Sequence, residues 1–375
     1  MTGKNILLLA HDGEDFFKAR ISFAKYLRQQ GYQVFVMLPQ DKYTDLINEH
    51  GFTVQNSSLE RDNTNPLNLV KTIFEVREFA HQNKIDLVHS FKFVPNLINS
   101  FSNIFTSRRV VLHIAGLGIA FANTGLKYRF LKLVQQILFL IQFLRANLVI
   151  IQNPDDYDDF LFKRSFRNKI KVVKGSGVDI EKFAPDRTEN VIKSSKVTFL
   201  CTTRLIWEKG IAEMVEAFES LPANLKENLQ LLIIGEPDDK NPRTVTRDFI
   251  DKFQTNSLIR FLGRQNNISQ FLNASDVFIL PSYYREGIPR SILEALACGL
   301  PVITTNVPGC NLTVIQDKNG YIIKPRSATE IKNAVIKMLS KQSEWKAMGE
   351  ASRQLALEEF SEETVYSQIV KLYRS

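Results

Sequence analysis

VFILPSYYREGIPRSILEALACGLPVITT, running from Val277 to Thr305, reads as strand, loop, helix and strand. Val277–Leu280 is a short apolar run stopped by Pro281, and Pro289 stands where a helix begins, its fixed φ suiting the first turn. A helix is expected over 291–298, closed by Gly299 as the left-handed residue, after which Pro301, Val302, Ile303 and Thr304 restart an extended run. Glu286 then sits in the loop and Glu294 about one turn inside the helix. Two carboxylates so placed can flank one ligand at the carboxyl end of a parallel strand, where open α/β sheets bind their substrates.

A second charged loop lies upstream. After the apolar run 197–203 come Arg204, Trp207, Glu208, Lys209 and Gly210, and a helix is expected over 211–221. Arg204 and Lys209 thus stand at a strand end facing a helix start, where free N–H groups and the helix dipole already favour an anion such as a diphosphate. Lys209 and Glu294 are expected to lie in an exposed cleft. A third turn, Gly263, Arg264, Gln265, Asn266, Asn267, precedes another helix and can approach a flat base through its backbone. Taken singly, each of these charges reads as an ordinary solvated surface group; their recurrence at strand ends of one domain is what marks a site.

The alternation of apolar runs and helical patterns extends over the chain and is the sign of parallel sheets with crossover helices. Strands are expected over 6–10, 34–38, 87–89, 110–114 and 148–152, then over 197–203, Leu229–Ile234, 259–262, Val277–Leu280 and 301–304, with helices over 19–30, 67–83 and 128–145. This describes two Rossmann-like domains. The polar stretch 186–196 reads as a linker, and the boundaries are set at 1–178, 179–358 and 359–375. The last segment is a helix beginning at Ser361 that packs back on the first domain.

With 375 residues and 44% hydrophobic content the chain has material for two ordinary cores. The apolar start at 5–10 is broken at once by His11 and Asp12, too short for a secretion signal and natural as a buried strand, so a cytoplasmic location is expected. Cys201, Cys298 and Cys310 have no metal-ligand spacing and read as reduced packing thiols. The net charge of +8 falls wholly in the first half, where residues 1–175 carry 23 Lys and Arg against 15 Asp and Glu. No acidic residue occurs between Asp86 and Asp155, while Lys92, Arg108, Arg109, Lys127, Arg129, Lys132 and Arg145 do. Such a face suits anionic partners. The segment YRFLKLVQQILFLIQFLR, 128–145, is too polar at Lys132, Gln135, Gln136 and Gln142 to span a bilayer. It is expected to lie on an anionic membrane through Lys127, Arg129 and Lys132, helped by Leu133, Ile137 and Phe139; the competing reading is a buried helix.

In the first domain, His11, Asp12 and Gly13 open the first strand-to-helix turn, and the turn with Glu14 and Asp15 is read as a loop able to close over a substrate. His50 and His81 are expected to face solvent, whereas His89 and His113 end apolar strands and are open to either packing or function.

At these residues the chain resembles a known family. Arg204 with Lys209, and Glu286, Gly287, Ile288, Pro289 leading to Glu294 and Ala295, resemble the signature of the family 4 retaining glycosyltransferases of GT-B fold. Ser176, Gly177, Val178 and Asp179 with Phe183 and Pro185 are similar to that family's interdomain signature. In the first half Pro39, Gln40, Asp41, Tyr43, Thr44, Asn65, Pro66, Gly116, Leu117, Gly118 and Phe121 resemble the bacterial N-acetylhexosaminyltransferases that extend undecaprenyl-diphosphate-linked sugars. Three positions depart from the pattern: Ala115 precedes Gly116 where many relatives carry histidine, Gly13 is single rather than paired, and Asn311 and Leu312 follow Cys310 where a carboxylate is common.

The resemblance implies an α/β GT-B architecture, two Rossmann-like domains facing each other across a cleft. It implies a UDP-sugar donor, its diphosphate held by Arg204 and Lys209, its ribose by Glu294, its sugar by Glu286 and the backbone of Gly287, Ile288 and Pro289. Ser291 would lie near the phosphates and Arg264 near the base, while His11, Asp12, Gly13, Gly116 and Gly118 fall to the acceptor side. The implied acceptor is a sugar on polyprenyl diphosphate at the inner face of the cytoplasmic membrane. Arg204, Lys209 and Glu286 would be the catalytic groups, with no cofactor, no metal and no nucleic-acid partner expected. Two other classes share the architecture: a UDP-sugar 2-epimerase acting without an acceptor, and a non-catalytic nucleotide-sugar-binding subunit, against which the intact charged site argues.

Overall fold

The computed structural model describes residues 4–59, 65–122, 125–186, 194–238 and 241–374. The chain divides into two compact units, one of residues 1–176 with 365–375 and one of residues 177–364. The second unit therefore begins ahead of the polar stretch 186–196 that reads as a linker. Of that stretch, 187–193 lie outside the described residues, and the flanking residues Val178 and Phe183 are already buried in the second unit's core.

The first unit is built on seven parallel strands: β1 Asn5–Leu9, β2 Gln33–Leu38, β3 Val54–Asn56, β4 Leu87–Phe91, β5 Arg109–Ile114, β6 Leu148–Ile151 and β7 Ile170–Val172. They lie in the order β3-β2-β1-β4-β5-β6-β7. The register sets Leu7 between Phe35 and Val88. The alternation within β1 sends Leu7 and Leu9 to one face and Ile6 and Leu8 to the other. On the Leu7 face the helices Pro66–Gln82, Phe93–Ser102 and Leu126–Arg145 cover the sheet. On the Ile6 face pack the helix Ile21–Gln29 and the last helix of the chain, Glu362–Arg374, which contributes Val365, Tyr366, Ile369, Val370 and Tyr373. Both faces of every central strand are buried, as parallel sheets require.

The second unit holds six parallel strands: β8 Val197–Thr202, β9 Leu229–Ile234, β10 Ile259–Phe261, β11 Val277–Leu280, β12 Val302–Thr305 and β13 Gly320–Ile323. Their order is β10-β9-β8-β11-β12-β13, so here too the first strand stands at the centre and the order reverses beside it. Each sheet thus has a switch point, between β1 and β4 in one and between β8 and β11 in the other, and ligands of open α/β sheets bind outside the carboxyl ends of such a strand pair.

His89 and His113 are packed side chains. Their rings stack at 5.5 Å inside the first core, the Tyr373 hydroxyl is hydrogen-bonded to His89 Nδ1, and burial holds both imidazoles well below the ordinary histidine range. All three cysteines are buried and unbridged, each pushed up to about 12, chiefly by burial.

Candidate active site

The loops after β8 and β11 rise from neighbouring strands of the second switch point, since Val277 pairs with Phe199 and Phe278 with Leu200. After β8 the chain passes Arg204 and makes a single tight turn, Trp207–Lys209, which ends at Gly210 in the left-handed region at φ 77°. Any side chain at Gly210 would set its Cβ 2.3 Å from the Pro281 carbonyl, so glycine is what lets this turn press against the end of β11. Lys209 is carried inward by that turn and its ammonium group pairs with Glu286 Oε1. Only 6% of the Lys209 side chain is exposed, against 22% for Glu286. The exposed position expected for Lys209 is thus corrected: the turn buries it, and Glu286 compensates the charge.

Neighbouring groups fix this pair. Ser282 Oγ donates to Glu286 Oε1 at 3.4 Å, and the Tyr283 N–H donates to the Glu208 carbonyl at 2.8 Å, tying the two loops together. The buried Glu208 carboxylate accepts from Arg243 Nε at 2.7 Å. Behind them, the Cys310 thiol is raised by burial and then by the Glu286 charge, with Lys209 working against both. Sequence reading passed over Glu208, Ser282 and Arg243 because an acid, a serine and an arginine in loops look solvated; the one available signal was the position of the first two beside strand ends.

Glu286 precedes Gly287, Ile288 and Pro289, all buried. The helix Arg290–Ala297 follows, with Pro289 as its N-cap, one place before the first-turn position expected. Gly309 holds the loop from beneath: at φ 87° it approaches so closely that a Cβ would stand 1.5 Å from the Gly287 carbonyl oxygen. Ser291 is half-buried at the helix start, and Glu294 lies one turn on, 3.8 Å from Arg290 Nη2. Arg204 is half-exposed, its Nη1 3.5 Å from Asp238 Oδ2. Arg264 is exposed, next to Gly263, whose carbonyl accepts from the Gly235 N–H at 2.9 Å. The structure thus joins Lys209 to Glu286 directly, while Arg204 meets Asp238, Glu294 meets Arg290 and Arg264 stands on a separate turn. A cluster of two cations and two carboxylates at one switch point can hold a diphosphate and hydroxyl-bearing groups.

At the switch point of the first unit the turn 11–15 is not an open loop. Asp12 caps the helix Gly13–Ala19, its carboxylate accepting from the Asp15 N–H at 2.8 Å, and Gly13 N–H donates to Asp41 Oδ2 at 3.0 Å. An N-cap aspartate followed by Glu14 and Asp15 in the first turn is a helix-start signal, and it overrides the loop reading. Asp15 then meets Lys92, which follows β4, at 3.1 Å. Burial alone would raise the Asp15 carboxyl, but Lys92 and Arg20 outweigh it and hold it at about 2. Lys92 itself sits at φ 72°. A lysine in that backbone region at a strand's carboxyl end is strained, and such strain is found clustered at active sites and ligand clamps. Gly116 and Gly118 follow β5 with φ 97° and 74°. His11 is half-buried at the same end of the sheet.

The helix Leu126–Arg145 buries Gln136, Phe139, Gln142 and Phe143 in the first core. Phe139 is therefore not available to a lipid surface, contrary to expectation, and Lys132 is engaged by Asp159 at 3.4 Å and by the Phe121 ring at 4.4 Å. The opposite face leaves Lys127, Arg129, Leu126, Phe130, Leu133 and Ile137 exposed, Phe130 at 66%. No helix among the described residues is long and apolar enough to cross a membrane.

Two Rossmann-like units, with a cation–carboxylate constellation at the switch point of the second, are the architecture of the GT-B class of glycosyltransferases. The chain belongs to that family: residues 182–355 match the glycosyl transferases group 1 and residues 5–153 the glycosyl transferase 4-like domain. It is 26% identical over 379 residues, 97% of each chain, to the N,N'-diacetylbacillosaminyl-diphospho-undecaprenol alpha-1,3-N-acetylgalactosaminyltransferase of Campylobacter jejuni. To the UDP-Gal:alpha-D-GlcNAc-diphosphoundecaprenol alpha-1,3-galactosyltransferase of Escherichia coli it is 28% identical over 283 residues, 72% of this chain and 70% of that one. Among solved structures, HepE of Anabaena in complex with UDP superposes with a TM-score of 0.80 at 19% identity, over 99% of both chains. Sucrose-phosphate synthase of Thermosynechococcus elongatus gives 0.81 at 18%, over 99% and 98%. At these identities the two structures speak for the fold alone.

Proposed function

We propose that the chain transfers an N-acetylhexosamine, GalNAc or GlcNAc, with retention of configuration, from a UDP-sugar to a saccharide carried on undecaprenyl diphosphate during assembly of a cell-surface glycan. The observation that carries this reading is the buried Lys209–Glu286 pair at the switch point, with Arg204 and Glu294 on the flanking turns. Whole-length similarity to transferases named for undecaprenyl-diphosphate-linked acceptors supports the acceptor class. In this reading Arg204 and Lys209 take the donor diphosphate, and Glu294 accepts from the ribose hydroxyls. Glu286 and the Gly287–Pro289 backbone seat the sugar, Ser291 stands near the phosphates and Arg264 near the base.

The acceptor hydroxyl attacks the anomeric carbon on the face that the departing UDP leaves, and its proton passes to an oxygen of that diphosphate. The protein supplies placement and positive charge where negative charge develops. Arg204 and Lys209 fill the role that other transferases give to a divalent metal, so the reaction needs none. His11, Asp12, Gly13, Gly116 and Gly118, with Lys92 beside them, belong to the acceptor side. The first unit rests on the inner face of the cytoplasmic membrane through the exposed stripe Leu126, Phe130, Leu133 and Ile137 with Lys127 and Arg129.

The test is a panel of UDP-sugars, incubated with and without a lipid-linked acceptor and read by mass spectrometry of the lipid product. A lipid gaining one hexosamine supports the reading. Conversion of the UDP-sugar with no acceptor present would instead identify an isomerase, and no change with any donor would overturn catalysis.

A further inference from the structure

In the first unit a cleft of about 900 Å³ opens where the helix Pro66–Gln82 ends and β4 and β5 begin. It lies at the amino ends of the strands, the end of the sheet opposite His11, Lys92 and Gly116. Its lining combines Arg77, Lys84 and Arg108 with the rings of Phe74 and Phe105. Glycosyl transfer, as proposed above, employs none of them.

The cleft is built for an anion. Arg108 Nη1 is shielded from solvent and meets no hydrogen-bond acceptor, and Arg77 makes no ion pair among the described residues. Burial first, and the Arg77 charge second, lower Arg108 from its usual range, so two guanidinium groups act on one space. The two carboxylates of the lining turn to other donors, Asp86 Oδ2 accepting from the Asn5 N–H at 2.8 Å and Glu78 Oε1 from Gln82 Nε2 at 3.0 Å, and among the described residues neither forms an ion pair with Arg77 or Arg108. A buried donor without a partner is costly to the fold, and an arriving anion removes that cost.

The cleft is also built for an apolar group. Phe105 is 98% exposed and Phe74 64%. Phe105 sits at φ 60°, a strained region for an aromatic residue, and the strain is held in place. Arg145 clamps the turn by donating to the carbonyls of Asn103 at 2.8 Å, Thr106 at 3.1 Å and Arg108 at 3.1 Å. A clamped turn that presents a whole phenyl ring to water gains nothing for stability.

We propose that this cleft binds a phosphate-bearing amphiphile, its phosphate held by Arg77 and Arg108 and its apolar part laid against Phe74 and Phe105. A membrane phospholipid headgroup and a soluble phosphorylated amphiphile both have this chemistry.

The experiment is calorimetric titration of the full chain with a short-chain phosphatidic acid below its micelle concentration, and with inorganic phosphate. Sedimentation with vesicles of phosphatidylcholine, alone or mixed equally with phosphatidylglycerol, runs beside it. Phosphatidic acid binds the wild type, and Arg77→Gln and Arg108→Gln each weaken it roughly tenfold, the loss of one charged hydrogen bond. Phe105→Ser weakens phosphatidic acid and leaves inorganic phosphate unchanged. A parallel drop in sedimentation with anionic vesicles makes the membrane the source of the ligand; unchanged sedimentation makes the source soluble. Turnover on a soluble acceptor is expected to stay at the wild-type rate in all three variants. Failure of phosphatidic acid to bind, or equal binding by Arg77→Gln, overturns the proposal, and so does a loss of turnover matching the loss of binding. Arg77 is exposed, so its variant folds and decides the matter should Arg108→Gln not fold.

Discussion

Lys92 Nζ stands 3.1 Å from Asp15 Oδ1 at the switch point of the first sheet, and Lys209 is paired with Glu286 at the switch point of the second. In one unit the carboxylate follows the central strand and the lysine its neighbour; in the other the order is reversed. Each lysine is thereby held in one place by its partner, which, in the function proposed above, a ligand phosphate would displace or share. Such preorganisation spares the cost of ordering a long, flexible cation when the ligand arrives.

Lys209→Met should reduce transfer by about 100-fold or more, since it removes a charge aimed at the developing diphosphate. Because Lys209 is buried, the change also strands Glu286 and should lower stability by roughly 2–3 kcal/mol. Turnover and chemical denaturation measured on one preparation check both halves. Transfer at the wild-type rate would remove Lys209 from the donor site.

Arg204→Ala and Glu294→Gln act differently. Arg204 is half-exposed with a 3.5 Å partner and Glu294 pairs with Arg290 at 3.8 Å, so each should lose most transfer while melting like the wild type. Activity should also persist in excess chelator. Activity that vanishes with chelator and returns only with magnesium or manganese would sink the metal-free mechanism.

Asp15 supplies an acid-sensitive contribution to stability. Its carboxyl titrates at about 2 in the folded chain against 3.8 for a free side chain, so its contribution is complete above about pH 4 and is lost as pH falls towards 2. That contribution is on the order of 2 kcal/mol. Asp15→Asn should be less stable at neutral pH and should lose less on acidification; parallel stability curves from pH 6 to about 2 for both proteins would contradict the assignment.

Charge reversal of Lys127 and Arg129, leaving Lys132 to its partner Asp159, should reduce sedimentation with anionic liposomes. At about 1 kcal/mol per basic residue near the surface, binding should fall by more than tenfold. Transfer to a long-chain lipid acceptor should slow while a short soluble analogue is used normally. Unchanged binding and unchanged rates would mean that this helix is not the membrane contact.

Gly309→Ala should cripple the enzyme without touching any charged residue. Its Cβ would overlap the Gly287 carbonyl, so either the 286–289 loop or the 309 turn must move. A loss of about 100-fold in transfer is expected from a displacement of that kind. Full activity in this variant would show that the loop backbone does not seat the donor.

The central strands and the charged loops of the second unit were legible because they carry local signals: Leu229–Ile234 and Val277–Leu280 fall where the apolar runs place them. The edge strands β3 and β7 were not, since Val54–Asn56 and Ile170–Val172 are three residues long and mostly exposed, leaving no alternation to read. The helix Phe93–Ser102 was hidden for the opposite reason. Its Asn96, Asn99, Ser100 and Ser102 look like surface residues but are buried, satisfied by bonds such as Asn99 Nδ2 to the Val88 carbonyl at 3.0 Å and Asn96 Nδ2 to the His113 carbonyl at 3.1 Å. Residue type cannot reveal such a network, because its partners are backbone carbonyls of the flanking strands β4 and β5, which only the folded sheet sets against this helix. The same holds for the pairing of Lys209 with Glu286: both loops were evident, yet the burial of the lysine depends on how closely Gly210 lets two strand ends approach.

The helix Glu362–Arg374 has a consequence for how the chain is made. Tyr366, Ile369 and Tyr373 belong to the first unit's core, and Arg109 fastens the helix end by donating to the carbonyls of Leu372 and Tyr373 at 3.0 and 2.9 Å. On the ribosome, residues 1–176 emerge first and yet lack part of their own interior until 365–373 have followed. At about 5–20 residues per second that interval is on the order of ten seconds or longer. The unit synthesised first is thus the one completed last, and its unfinished apolar face is what a nascent-chain chaperone would meet.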